Sequence, residues 1–520
     1  MDKTITMPHM LKTENMKVTN DAAVSDPDLL ERAVECWNAL HEFRSERERC
    51  KRFTYGDQWN DMIVDRGVRM RERDYILSQG NMPLKNNLIR RLVRNVLGVY
   101  RNRWKMPQCT GRVDESAREP AIVNCLLGHV AETNRLEELY ARTMEEFLIS
   151  GLAVHKKWYG RRRGASGCRT DLISPARFFF DRSATDARGL DLTLVGEIHE
   201  MELGEAEAAF GETVCGSSVT EAYGMRRIDD PHAHCVVYEV WERTRTPLLR
   251  CHDRLGGRWF RAPLSAAPAI SKENRLRLAR GESRLTETVR IFDEEWRYTF
   301  MTPSGRILAR GMSPYPGATH PYVIKAYPFI DGEIHSFVSD IIDQQKLTNR
   351  LISMYDWILR ASAKGVLLFP EGALPDGADI NDIADEWGRF NGVIVYRPRA
   401  GVPLPQQVSS RSADIGITEL LEIQMKMMED ISGVNGALQG KLDSNSMSGT
   451  LYNQQTQNSL TALADLMKSF DDFVMEATRA DVANILRFYS PRRILSLTGE
   501  TVGRTFNQLN AKNVLKLTNQ

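Results

Sequence analysis

Three short stretches carry side chains that could do chemistry. Gly436-Ala437-Leu438-Gln439-Gly440-Lys441-Leu442 holds the ingredients of a phosphate-cradling loop. Its spacing is one residue short, Leu442 stands where a magnesium-holding Ser or Thr is needed, and no strand leads into it. His232, His234 and Cys235 set metal-capable side chains close together. At a strand start the two histidines would share a face, but no second cluster completes a tetrahedral ligand set. Asp229-Asp230 and Asp471-Asp472 are sequence neighbours whose side chains point apart, as surface charges do. Gly-x-Ser-x-Gly and His-Glu-x-x-His are absent. The sequence offers no catalytic constellation and calls for no metal or cofactor.

Bulk properties set the frame. A chain of 520 residues is too long for one core, and about two to four domains are expected. Its 42% hydrophobic and 26% charged content is that of an ordinary soluble globular protein. The longest apolar runs, such as Val366 to Phe369, are too short to span a bilayer, so no membrane contact is expected. Residues 1–26 are polar and lack a signal peptide's apolar core, which points to the cytoplasm or a particle assembled there. The eight cysteines form no Cys-x-x-Cys pair and read as reduced thiols. Lys and Arg total 69 against 68 Asp and Glu, a net of +1. Tight DNA binding draws on a basic excess that releases counterions from phosphates, so any contact with DNA should be weak.

Periodicity places the elements. Pro27 to Arg52 repeats Leu29, Ala33, Trp37 and Leu40 at helical spacing. Asn86–Trp104 and Glu137–Leu152 are further helices, the second ending at Gly151. From Asp171 to about Ile330 strands and turns dominate, with Glu287–Met301 and Arg306–Ala309 forming a hairpin around Pro303-Ser304-Gly305. Val338–Ala363 predicts a long helix. An insert follows: strand Val366–Phe369, helix Asp379–Phe390 and strand Val393–Tyr396. Asp379 would cap the short helix, and Ile380, Ile383, Ala384 and Trp387 would form its buried stripe. Glu371, Asp376, Asp382, Asp385 and Glu386 make the insert an acidic knob suited to a basic partner. A Met-rich helix returns through Ile431, and Leu451–Ser490 predicts one long helix, polar and uncharged from Tyr452 to Asn458. Between them lies a Gly/Ser/Asn-rich loop of roughly eighteen residues, a length usual for functional or disordered segments.

Several segments, in this order, resemble the portal proteins of tailed bacteriophages, the head-to-tail connectors, and within them a podophage-like group. They are Gly56-Asp57-Gln58-Trp59, Phe178-Phe179-Phe180-Asp181 with the loop to Asp191, Asp340-Ile341-Ile342-Asp343 through Arg350, and Ile431-Ser432-Gly433-Val434 leading to Ser448-Gly449-Thr450. The layout matches over roughly residues 30–490. The resemblance implies an α+β subunit that assembles as a ring, usually a dodecamer. Its parts would be a flexible arm (1–26), a mixed α/β wing (27–335), two stem helices (338–363 and 413–431), a small α/β clip (364–407), a tunnel loop (432–449), a long wing or crown helix (450–490) and a crown segment (491–520). A long C-terminal barrel, carried by some family members, is not expected before Gln520. Lys441, Asn445 and Ser446 would brush double-stranded DNA. Glu371, Asp376, Asp382, Asp385 and Glu386 would meet the terminase large subunit or a head–tail adaptor. Major capsid and scaffolding proteins are further implied partners. The implied place is the portal vertex of a virion assembled in host cytoplasm, and the implied role is DNA packaging, retention and ejection. Another head-completion or minor capsid protein, or a metal-dependent nuclease, are the alternatives.

Overall fold

The computed structural model describes residues 25–79, 81–111, 118–162, 164–211, 234–364, 366–370, 379–388, 393–396, 401, 403–408, 416–434, 438, 449–499 and 515–518. They divide into two compact units. The first comprises the chain up to Lys51, Val93–Ser339 and Ser448–Gln520; the second comprises Arg52–Leu92 and Asp340–Met447. The N-terminal elements are α1 (Pro27–Ala39), α2 (His41–Tyr55), the hairpin β1 (Met62–Asp65) and β2 (Val68–Arg71), α3 (Glu72–Ser78) and α4 (Leu88–Arg103). The division falls within α2 and within α4.

The first unit is mixed helix and strand. Its larger antiparallel sheet orders β11 (Ile307–Met312), β10 (Thr286–Met301), β8 (His234–Asp253), β7 (Leu194–Glu202) and β6 (Phe178–Phe180), with β9 (Arg258–Pro263) paired to the far end of β8. A smaller sheet orders β12 (Tyr322–Ala326), β4 (Leu152–Arg162) and β5 (Ala165–Leu172). Short pairs join β3 (Gln108–Gly111) to β17 (Leu515–Thr518) and β13 (Phe329–Ile330) to β14 (Glu333–Ile334). Phe178, Phe179, Trp241 and Phe300 share one core with Leu152, Val154 and Trp158 of β4, and α1 adds Leu29 and Ala33 to it. That helix starts where Asp26 accepts the Leu29 amide at 3.1 Å and Pro27, which needs no donor there, takes the first turn. A second core joins α5 (Arg118–Asn134) to α13 (Ala464–Phe488) and α14 (Pro491–Thr498). The remaining helices of this unit are α6 (Leu136–Ser150), α7 (Leu203–Phe210), α8 (Ala267–Ala279) and α12 (Gly449–Ala462). Gly151 stops α6 as expected. Its φ is +75°, and a Cβ there would stand 1.8 Å from the His335 carbonyl oxygen, so only glycine fits.

Two consecutive lysines organise this unit. Lys156 and Lys157 on β4 are each only 1% exposed, and strand geometry sends them to opposite faces. Lys156 binds Glu239 of β8 and lies 3.7 Å from Glu197 of β7. These carboxylates are register partners across β7 and β8, so the ammonium sits where two like charges would otherwise face each other. Burial drives the Glu239 carboxyl up, yet Lys156 and His199 outweigh it and hold the pKa at about 2. Lys157 reaches the other way, to Asp481 of α13 at 2.6 Å and to Thr170 Oγ1 at 2.8 Å.

In the second unit α9 (Ile342–Lys364) packs along α11 (Ile417–Ser432). The insert between them holds β15 (Val366–Leu368), α10 (Ile380–Gly388) and β16 (Gln406–Val408).

Several boundaries differ from the sequence reading. The first long helix starts at Ile342, behind a 3-10 turn at Ser339–Ile341. The returning helix starts at Ile417, after Gly416 with φ +65°. The helix expected from Leu451 to Ser490 is interrupted at Leu463, whose ψ of 0° leaves the helical range between α12 and α13. Val393–Tyr396 is not a strand. β15 pairs instead with β16, and Val393 and Val395 stay exposed, because β-branched residues favour a strand only where a ladder partner exists. In α10 the expected stripe keeps Ile383 buried and Trp387 half-buried, while Ile380 and Ala384 are exposed. The β1–β2 turn is made by Arg66 and Gly67, both with positive φ, a hairpin turn with none of the usual Asn-Gly signal.

The Lys157–Asp481 pair makes a direct prediction. Lys157→Met leaves the Asp481 carboxylate buried without its cation and should cost about 3–5 kcal/mol of stability. Lys157→Met combined with Asp481→Leu should recover most of that loss, as read from denaturant midpoints.

Candidate functional site: stem helices and docking surfaces

Two of the family-like motifs meet in the second unit. Gln58 of Gly56-Asp57-Gln58-Trp59 donates to Phe53 O at 2.9 Å and accepts from Asn349 Nδ2 at 2.7 Å. Gln345 and Asn349 lie in the Asp340–Arg350 motif, one helical turn apart on α9, and Gln345 Nε2 donates to Asn349 Oδ1 at 2.9 Å. The Gln345 side-chain oxygen accepts the Leu88 and Ile89 amides at 2.9 and 3.2 Å, while its Nε2 donates to Asn86 O at 2.7 Å. Gln345 therefore caps the first turn of α4, whose amides have no partner within their own helix. Gln58, Gln345 and Asn349 are buried to 1% exposure or less. Trp59 closes the motif by donating its indole N–H to Leu84 O at 3.1 Å.

An ionic layer lies beside the amides. Arg350 places two guanidinium nitrogens on Glu72 Oε1, at 2.9 and 2.6 Å, and Lys346 reaches Asp61 at 3.0 Å. Arg91, one of the cations on α4, lies 3.9 Å from Glu429 of α11. Neutral amides and paired charges of this kind move no proton and hold no substrate. What they do is fix the base of α9.

The outer faces of α9 and α11 have a different chemistry. Leu351 on α9 and Ile417, Gln424 and Met428 on α11 are buried. Met354, Tyr355, Trp357 and Leu359 of α9 stand exposed, as do Leu420, Ile423, Met427 and Ile431 of α11. Trp357 is 54% exposed and Ile423 49%. Exposed apolar side chains in such number are a mark of surfaces where proteins meet partners.

Of the residues singled out from sequence, Asp382 and Asp385 stand exposed on α10, with Glu386 half-buried beside them. Asp382 Oδ2 accepts the Asp379 amide at 3.1 Å, the reciprocal half of an N-terminal cap. Glu371 and Asp376 lie outside the described residues, as do Lys441, Asn445 and Ser446. His234 opens β8, and His232 is outside the described residues.

One cluster was missed. Glu197, His199 and Glu239 bring their ligand atoms within 4.8 Å of one another, a spacing a metal could use. The Lys156 ammonium already binds Glu239, however, and His199 Nε2 contacts the same carboxylate at 2.8 Å. The cation position is thus filled by a side chain, and the cluster works as an internal ion network. Glu197 and His199 stand two apart on β7, but Glu239 comes from β8, 42 positions on, so local spacing showed only two of the three members.

Comparison with known proteins bears on these surfaces. The family model described as Phage P22-like portal protein matches residues 30–520. This chain belongs to that family. The match agrees with the resemblance drawn from the ordered motifs, and the P22-like portal family is a structural one. A curated relative, the portal protein of Helicobacter pylori bacteriophage KHP30, is 19% identical over 450 residues, which is 85% of this chain. The chain spans 64% of that relative's length. No helix among the described residues is long and apolar enough to cross a membrane.

The amide network gives a measurable expectation for a portal-family subunit. Gln345→Leu strands the Ile89 amide and removes a second partner from the Leu88 amide and the Asn86 carbonyl, and should cost about 1–3 kcal/mol. Hydrogen exchange at Leu88 and Ile89 should speed up with it, while amides of β4 keep their protection.

Proposed function

We propose that this chain is the repeating subunit of a ring, dodecameric as is usual for portals, that forms the DNA channel at one capsid vertex. The observation that carries the reading is the set of large apolar side chains that α9 and α11 leave exposed. In a closed ring the same side chains recur on every copy, so an identical neighbour can cover them and no copy is left with an open edge. The mechanism is geometric and passive. A separate ATPase, the terminase, drives double-stranded DNA through the bore, and the ring then seats the head–tail adaptor while capsid and scaffolding proteins hold its rim. The chain's own part is non-enzymatic. A net charge of +1 suits a bore through which DNA slides, since multiple phosphate contacts would hold it.

The ring is the first thing to test. Trp357→Asp combined with Ile423→Asp should convert rings to single subunits in negative-stain images and light scattering, with the circular dichroism spectrum unchanged. Rings that persist with both charges in place would refute the stem-face reading.

Two finer assignments belong to this proposal. Lys441, with Asn445 and Ser446, brushes DNA from the loop between α11 and α12. Asp382, Asp385 and Glu386, with Glu371 and Asp376, form the contact for terminase or adaptor. Lys441→Glu should leave ring assembly intact and impair packaging or retention of DNA in particles. Changing the insert's carboxylates to amides should lower terminase recovery in a pull-down. Normal DNA content, or undiminished recovery, removes the corresponding assignment.

A further inference from the structure

The far end of the larger sheet carries a surface that neither the stem nor the insert accounts for. Residues 245–294 comprise the outer parts of β8 and β10, all of β9, and α8. They contain eleven Lys and Arg against six Asp and Glu, an excess of five in a chain whose total is +1. Ion pairing sharpens the imbalance. Arg245, Arg254, Arg261 and Arg277 pair with Glu294, Glu287, Asp293 and Asp253. Arg258 on β9, Lys272 and Arg275 on α8, and Arg280 and Arg284 just beyond it carry no carboxylate partner among the described residues. Arg250 and Arg290 lie over the rings of Trp259 and Phe292.

The way α8 is attached shows what its outer face is not used for. Asn274 exchanges two hydrogen bonds with the Thr286 backbone, at 2.8 and 2.9 Å, and Arg277 reaches Asp253 at 2.6 Å. Polar pins fasten the helix, and none of its residues is buried. Leu276 and Leu278 are 45% and 57% exposed, interleaved with Lys272, Arg275 and Arg280. Leu276 stands one turn from Lys272 and Arg280, and Leu278 one turn from Arg275, so on both sides of α8 a leucine that the fold does not consume adjoins free cations. On the sheet, Trp259 and Val289 are each 61% exposed, and Trp259 is stacked on His252 with ring centroids 4.1 Å apart.

We propose that this lobe, with the exposed surface of α8 and Trp259 of β9 on it, docks an acidic protein segment that carries apolar residues between its carboxylates. Charge complementarity selects an acidic partner. The exposed leucines and tryptophan select protein over nucleic acid, because phosphate contacts would leave them idle, whereas Trp and Arg dominate the buried centres of protein interfaces. The inference does not rest on the ring reading.

The test uses the intact purified protein and two fluorescent probes, a helical peptide with Leu on one face and Glu on the other, and a short random-sequence DNA duplex. The peptide should bind with an affinity that falls as salt rises. Arg275→Glu with Arg280→Glu, and separately Leu276→Ser with Leu278→Ser, should each weaken it by about tenfold or more. All four positions are solvent-facing, so both variants should keep the wild-type unfolding midpoint. The proposal is overturned if the peptide fails to bind, or binds both variants as it binds the parent. It is equally overturned if the duplex binds more tightly than the peptide and is indifferent to the leucine changes, which would make the lobe a nucleic-acid surface.

Discussion

Everything in the first unit is arranged around a strand that is charged on both sides and wet on neither. Water has been removed from Lys156 and Lys157 alike, and an ammonium taken out of water is tolerable only beside an anion placed to receive it. The anions come from different layers, Glu239 from the larger sheet and Asp481 from α13. Strand alternation does the sorting: one residue's shift along β4 would exchange the two faces and separate both lysines from their carboxylates. An apolar strand would tolerate such a slip. This pairing sets the register of β4 against two elements that are distant in sequence.

The same logic recurs in neutral form in the second unit. There the buried groups are amides, and Gln345 joins its own helix, the first turn of α4 and Asn349 in a single network. Polar side chains buried with every partner in place define orientation more sharply than apolar packing, since each bond has a direction. Many of the large apolar side chains on α9 and α11 face outward instead. Rigidity is internal and polar, while the surface offered to neighbours is greasy.

What could be read from sequence follows from these facts. Helices with a regular apolar period, the hairpin around Pro303-Ser304-Gly305 and the stop at Gly151 were legible because their signals are local. The family-like motifs were legible as strings, but their meaning was not: Gln58 and Asn349 are 291 positions apart and touch. Lys156-Lys157 reads as surface in any sequence, and only the long-range carboxylates explain why it is core. Helix α8 went unnoticed in a region of strands because it buries no stripe to create a period. The insert was half legible: α10 formed as read, while the partner of β15 was taken by Gln406–Val408 rather than by Val393–Tyr396.

The methionines of α11 carry one more implication. Met428 is buried, Met427 is exposed, and Met354 of α9 is exposed as well. Thioether chains are unbranched and polarisable, and they fill irregular gaps by changing rotamer where leucine or valine would leave a void. In the proposed ring, a seam between copies lined this way would behave as a compliant gasket. Adjoining subunits would then tilt by small amounts and stay sealed, the adjustment taken up by thioether rotamers.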